Sequence, residues 1–296
     1  SGDVNNASRL LAALPEVNLN TIKWSEDDEG ELTLLTHAAR KGHAEICQML
    51  LDKGTEVNQR SEGTYCFTSV GTSPLINACR YGHSKVVNVL LAVGGIDVNY
   101  RKGDGATGLI ASCRRGHSKV VELLLAAGGI RVNQANDEEV TPLYIASQGG
   151  HSKVVKMLLA VDGIQVNKAT DEEATPLYMA CQNGHLKVVK MLLAVDGIQV
   201  NQADDTKCTP LSTACKNGHS EVVKMLLAVD GIQVNQADNR RWTPLTVACR
   251  KGFLKVVKIL LAVDGIQVNQ ANSNGYTPFM MAVSNSHIDI VIQLLQ

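Results

Sequence analysis

Thr141-Pro142-Leu143-Tyr144-Ile145-Ala146, followed by Gly150-His151, Val154-Val155, Leu158-Leu159, Gly163 and Val166-Asn167, is one pass through a pattern that returns every 34 residues. Thr107, Thr141, Thr175, Thr209, Thr243 and Thr277 mark the period; Ser73 takes the same place one period earlier, and Thr33 begins a variant copy. Each mark reads as a helix start, because threonine caps a first turn and Pro142 sits where a missing N–H costs nothing. Gly149-Gly150 stops that helix, and Asn183-Gly184, Asn217-Gly218 and Lys251-Gly252 repeat the stop with a residue suited to positive φ. In the helix that follows, Val154, Val155, Leu158 and Leu159 keep one apolar face, while Lys153 and Lys156 fall outside it. Asp162-Gly163 ends this second helix. One such helix pair cannot bury its own apolar surface, so successive copies must stack as a solenoid.

Units are therefore expected to start near residues 33, 73, 107, 141, 175, 209, 243 and 277, filling 33–296. Residues 1–32 read as a degenerate N-terminal capping unit, in which Ala7 to Leu14 is one short apolar helix and Val17-Asn18 echoes the repeat. After the first full unit the connector is longer and carries Tyr65 and Phe67, either a tolerated loop or a partner contact.

These residues make the chain resemble ankyrin repeats. The resemblance implies an all-α fold with short β-hairpin loops, an ankyrin-repeat solenoid of stacked helix-turn-helix units whose hairpin tips project at a right angle. It implies a protein-binding role, with the inner-helix ends lining a concave groove. The copies depart from the family in two ways. They carry an extra residue in Val161-Asp162-Gly163-Ile164 relative to the usual unit of about 33. The glycine common at the fourth tip position is present as Gly105 and Gly275 but replaced by Glu139, Glu173, Lys207 and Arg241, so either the turn differs or strain is accepted.

Chemistry is hard to find. Cys79, Cys113, Cys181, Cys215 and Cys249 share one repeat slot, with Ser147 filling the gap. Neighbouring copies should lie about 8–10 Å apart, beyond the reach of a disulfide. The slot calls for a small buried side chain, and free thiols place the chain in the cytoplasm or nucleus. Histidine recurs once per unit at the Gly-His position, where Phe253 substitutes, so one ring per layer reads as structural rather than metal-binding. No phosphate loop, nucleophile elbow or metal-ligand pair is present. We therefore expect no enzyme activity, no cofactor and no metal. A net charge of −1 gives no global footprint for nucleic acid, and no apolar run spans a bilayer. Neither nucleic acid nor membrane is expected as a partner, and the chain is expected to be monomeric.

If the frame repeats, recognition must sit where copies vary. The inner-helix ends Arg40-Lys41, Arg80-Tyr81 and Arg114-Arg115 are basic, although a cation near a helix C-terminus also serves the helix itself. The tips carry Asp137-Glu138, Asp171-Glu172 and Asp204-Asp205, then reverse sign at Arg240-Arg241-Trp242 before Tyr276. Tyr144 and Tyr178 occupy equivalent slots, as inter-repeat packing or as the floor of a peptide groove. Trp242 and Tyr276 share a tip slot where an exposed ring near carboxylates suits a lysine. The expected function is a scaffold or adaptor that binds an extended basic segment of another protein or peptide on its concave face and tips. Two alternatives stand: the recognition domain of a larger enzyme, such as a ubiquitin ligase subunit or histone-modifying protein, motivated by the apolar Ile288, Ile290, Val291 and Ile292 of the last unit, or a structural spacer.

Overall fold

In every copy the inner helix begins where its threonine or serine oxygen accepts a main-chain N–H three residues on. Thr175 takes the N–H of Tyr178 and Thr209 that of Ser212, each at 3.1 Å, with Pro176 and Pro210 in the first helical position. The computed structural model describes residues 18–25, 31–61 and 71–296. The expected helix at 7–14 and the connector residues Tyr65 and Phe67 lie outside the described residues.

The chain divides into two compact units, Ser1–Ile145 with Ala160–Ile164, and Ala146–Leu159 with Gln165–Gln296. In the first, a two-stranded antiparallel ribbon, β1 (Lys23–Ser25) on β2 (Glu31–Thr33), leads directly into the inner helix Leu34–Lys41. Its strands were not foreseen from the sequence. The inner helices Leu34–Lys41, Pro74–Tyr81 and Gly108–Arg115 pack side by side, and the outer helices Ala44–Asp52, Ser84–Leu91 and Ser118–Ala126 do the same behind them. The second unit repeats this arrangement. Its inner row is Pro176–Gln182, Pro210–Lys216, Pro244–Lys251 and Pro278–Ser284, backed by an outer row from Ser152–Leu159 to Ile288–Leu294. This is an all-α repeat solenoid. Its core is built from many small apolar contacts, as Val188, Val189 and Leu192 show in one outer helix, while Lys187 and Lys190 stay exposed.

Two ladders run between successive copies. On the outer side, Asn201 Nδ2 donates to Gly231 O at 2.8 Å and its Oδ1 accepts Gln233 N–H at 3.0 Å. Asn58 and Asn99 make the same pair in the first unit, and Asn167 and Asn235 in the second. At the helix turns, His83 donates from Nε2 to Arg40 O at 2.8 Å and His219 to Gln182 O at 2.9 Å; a carbonyl can only accept, so Nε2 carries the proton. The histidines are structural, as their repetition suggests. His83, His117, His185, His219 and His287 each tie one copy to the preceding one through Nε2, and none of these five caps its own helix.

From residue 102 onward the connectors are tight hairpins. Asp238 N–H donates to Trp242 O and Arg241 N–H to Asp238 O, while Asp238 Oδ1 accepts the N–H groups of Arg240 and Trp242. The turn does not change where glycine is missing: φ is 56° at Glu139, 58° at Glu173, 64° at Lys207 and 60° at Arg241, against 76° at Gly105 and 80° at Gly275. The strain is accepted rather than avoided. Left-handed backbone costs a residue with a Cβ about 1–2 kcal/mol, offset in part by the greater freedom glycine has when unfolded. Arg241→Gly is accordingly expected to raise stability by about 1 kcal/mol, seen as a higher urea midpoint at unchanged slope.

Candidate partner-binding surface

In the first unit the variable inner-helix ends come together as a cationic surface. Tyr81 is 39% exposed, and the guanidinium carbons of Arg40 and Arg80 each lie 5.7 Å from its ring centre, within cation–π range. Beside them Arg80, Lys102, Arg114 and Arg115 line a cleft of about 190 Å³ together with Asp104 and the apolar Ile76 and Ile110. Lys102 forms an ion pair with Asp104. Burial alone would raise the Asp104 carboxyl, but hydrogen bonds from Lys102 and the Ala106 N–H, with the nearby Arg114 charge, hold it below its usual range. Lys41, exposed, stands at the end of the first of these helices.

The acidic tips divide into engaged and exposed carboxylates. Asp137 is taken by Arg101, whose guanidinium lies 2.5 Å away. Asp204 is consumed by its own hairpin: Oδ1 accepts the N–H groups of Thr206 and Cys208, and Oδ2 accepts the Tyr178 hydroxyl at 2.8 Å. Glu138 in the first unit and Asp171, Glu172 and Asp205 in the second are exposed. In the second unit the tips are joined through the main chain, Asp205 N–H to Glu172 O at 2.9 Å and Asn239 N–H to Thr206 O at 2.9 Å. The main chains of neighbouring tips are therefore held side by side, with an exposed ion pair between Glu173 and Lys207 at 3.7 Å.

The aromatic candidates take separate roles. Tyr144 and Tyr178 are buried. Burial, the adjacent Cys208 and the bond to Asp204 push the Tyr178 phenol up. Tyr178 lines a broader cleft of about 380 Å³ with Lys216, Arg240, Trp242, Arg250 and Lys251. The Arg250 guanidinium carbon covers the Trp242 ring at 4.9 Å, so one face of the lysine-binding candidate is already occupied by a cation of the chain itself. Tyr276 is 46% exposed.

The shared cysteine slot is fully buried at Cys79, Cys113, Cys181, Cys215 and Cys249. Burial pushes all these thiols up, Cys249 to about 12; the half-buried Cys208 rises to about 11, first through burial and then through the Asp204 charge. Thiolates are the reactive form, so these side chains are packing groups. Among the described residues no three His, Cys, Asp or Glu side chains converge to hold a metal, and no helix is long and apolar enough to cross a membrane.

Sequence reading missed Lys102 and Asp104. The signal was present, since the slot holding Asn136, Thr170, Asp204, Asp238 and Asn272 carries lysine at 102. It also passed over the asparagine ladder, although Val-Asn returns in every unit.

A family profile described as ankyrin repeats (3 copies) matches residues 2–102, 75–170, 163–238 and 228–296. The chain is 49% identical over 57 residues to an Arabidopsis thaliana protein named E3 ubiquitin-protein ligase XBAT33, covering 19% of this chain and 10% of that one. It is 36% identical over 90 residues to a probable E3 ubiquitin-protein ligase, XBOS32, of Oryza sativa subsp. japonica, covering 30% and 16%. It is 33% identical over 91 residues to the Caenorhabditis elegans ankyrin repeat and KH domain-containing protein mask-1, covering 29% and 3%. The matches thus span a sixth or less of these relatives' length. With the profile extending from end to end and the capped helix pairs, left-handed stops and hairpin tips all in place, the chain belongs to the ankyrin repeat family, a family of protein-interaction modules.

Proposed function

We infer that the chain is a non-catalytic scaffold that holds an extended segment of a partner protein, with basic residues of that segment lying over the tips of the second unit. The observation that carries this reading is the main-chain bond from Asp205 to Glu172, which sets Asp171, Glu172 and Asp205 in one exposed row. Charges on tips one repeat apart, about 8–10 Å, are only partly screened at physiological salt, so the row attracts a cationic peptide jointly. Affinity-enrichment mass spectrometry with the intact chain tests it. Asp171→Lys with Glu172→Lys is expected to lose partners retained by the parent chain and to weaken a lysine-rich peptide about tenfold; an unchanged partner set would move the site elsewhere. The buried thiols support a reducing compartment, cytoplasm or nucleus, as its place of work.

A second reading, that the array recognises substrates for a ubiquitin ligase, is favoured by the names of two plant relatives. Those names cover proteins of which the matched repeats are a small part. Ubiquitin conjugates accumulating on captured partners, and disappearing when the array is deleted from the natural protein, are the expected signs.

A further inference from the structure

Where a frame repeats, a residue that breaks it points to a task outside the frame. At the slot that opens the tip, Asn136, Asp204, Asp238 and Asn272 use a side-chain oxygen to accept two main-chain N–H groups of their turn, whereas Thr170 in the same slot leaves its hydroxyl oxygen without a hydrogen bond. Lys102 occupies this slot in the first unit and cannot accept them. Asp104 takes over, its Oδ1 accepting the Ala106 N–H at 2.9 Å, while Lys102 pairs with the other oxygen and lies 13% exposed along the cleft. The cleft thus holds four cations, Arg80, Lys102, Arg114 and Arg115, against one carboxylate, a net charge of +3 in a chain whose overall charge is −1. The macrodipole accounts for arginines in the last turns of two helices. It does not account for a lysine in the connector that faces them.

We propose that this cleft binds an acidic segment of a partner protein, an extended peptide whose clustered carboxylates sit against Arg80, Lys102, Arg114 and Arg115 with its apolar atoms over Ile76 and Ile110. Arginine forks match carboxylates in pairs of hydrogen bonds, and the low-dielectric floor strengthens them. Nucleic acid suits the surface less well. The flanking aromatic, Tyr81, already faces the guanidinium groups of Arg40 and Arg80 and offers no open platform for a base. This site is independent of the basic segment proposed for the second unit's tips, and each can fail alone.

Fluorescence anisotropy with the full chain decides the matter, using a labelled peptide alternating Asp, Glu and Leu, a lysine-rich peptide of equal length and a single-stranded RNA. The acidic peptide is expected to bind more tightly than either control, and to weaken as salt rises. Arg114→Gln with Arg115→Gln is expected to reduce its affinity about tenfold or more. Both residues are exposed, so an unchanged far-UV circular dichroism spectrum and a retained cooperative urea transition verify the fold; should the pair unfold the chain, Arg115→Gln alone is expected to weaken binding severalfold. Asp171→Lys with Glu172→Lys is expected to leave it unchanged. Retained affinity in the arginine variants, or RNA bound more tightly than the acidic peptide, overturns the proposal.

Discussion

Gly184→Ala is expected to destabilise the chain by about 2–5 kcal/mol, one of the largest effects of any single methyl group in it. Two costs add. Gly184 has φ +71°, where an L side chain costs about 1–2 kcal/mol. A Cβ there would also lie 2.5 Å from His219 Nδ1 and 2.6 Å from Cε1, an overlap of the kind that costs about 1–3 kcal/mol in a packed site. The ring cannot swing aside freely, because its Nε2 is committed to Gln182 O. Gly197→Ala is the control. Its φ is +77° but nothing lies within 4 Å of the added carbon, so only the backbone cost applies. Urea unfolding of the two variants side by side measures the difference; equal losses would show that the ring yields and that the histidine tie is weak.

The second large effect is a collapse of stability in alkali. Cys79, Cys113, Cys181 and Cys215 are fully buried, and desolvation raises each thiol above its ordinary 9.0. A group whose folded value is raised contributes fully below its unfolded value and loses that contribution as pH climbs toward the folded one. Each thiol therefore withdraws about 1.4 kcal/mol per pH unit above about pH 9, and the four together about 5 kcal/mol per unit. A typical stability of about 5–15 kcal/mol is exhausted within about one to three units. The urea midpoint followed by circular dichroism is expected to stay level from neutral pH to about 8.5 and then to fall steeply. Replacing the four cysteines by alanine should flatten that fall; a fall of the same steepness would assign it to other groups.

The frame was legible because its signals are local. The threonine caps, Pro176 and Pro210 at the first helical position, and the glycine stops depend on a few adjacent residues, and each stands where the 34-residue pattern predicts. The cysteine slot was legible for a different reason, since repetition itself reveals that one site must suit every layer. The strain at Glu173 and Lys207 was seen as an alternative but not decided, because composition does not say whether a turn or its residue gives way. The variable surface was least legible. Asp137 and Asp204 look like their exposed neighbours in sequence, and only folding brings Arg101 to one and the Tyr178 hydroxyl to the other. The cleft at Lys102 needed both adjacent helix ends and the connector to be placed together before its charge excess could be summed.

The asparagine ladder carries a consequence for how such a chain grows. Asn201 reaches 30 residues ahead for an acceptor and 32 for a donor, and Asn167 and Asn235 use the same intervals. A gene rearrangement that removes or duplicates one whole period returns every asparagine to an equivalent partner, whereas a shift by any other length leaves a clamp pointing at the wrong atoms. The architecture thus admits change in whole modules and resists it in fractions, which makes array length the easiest property of this protein to alter.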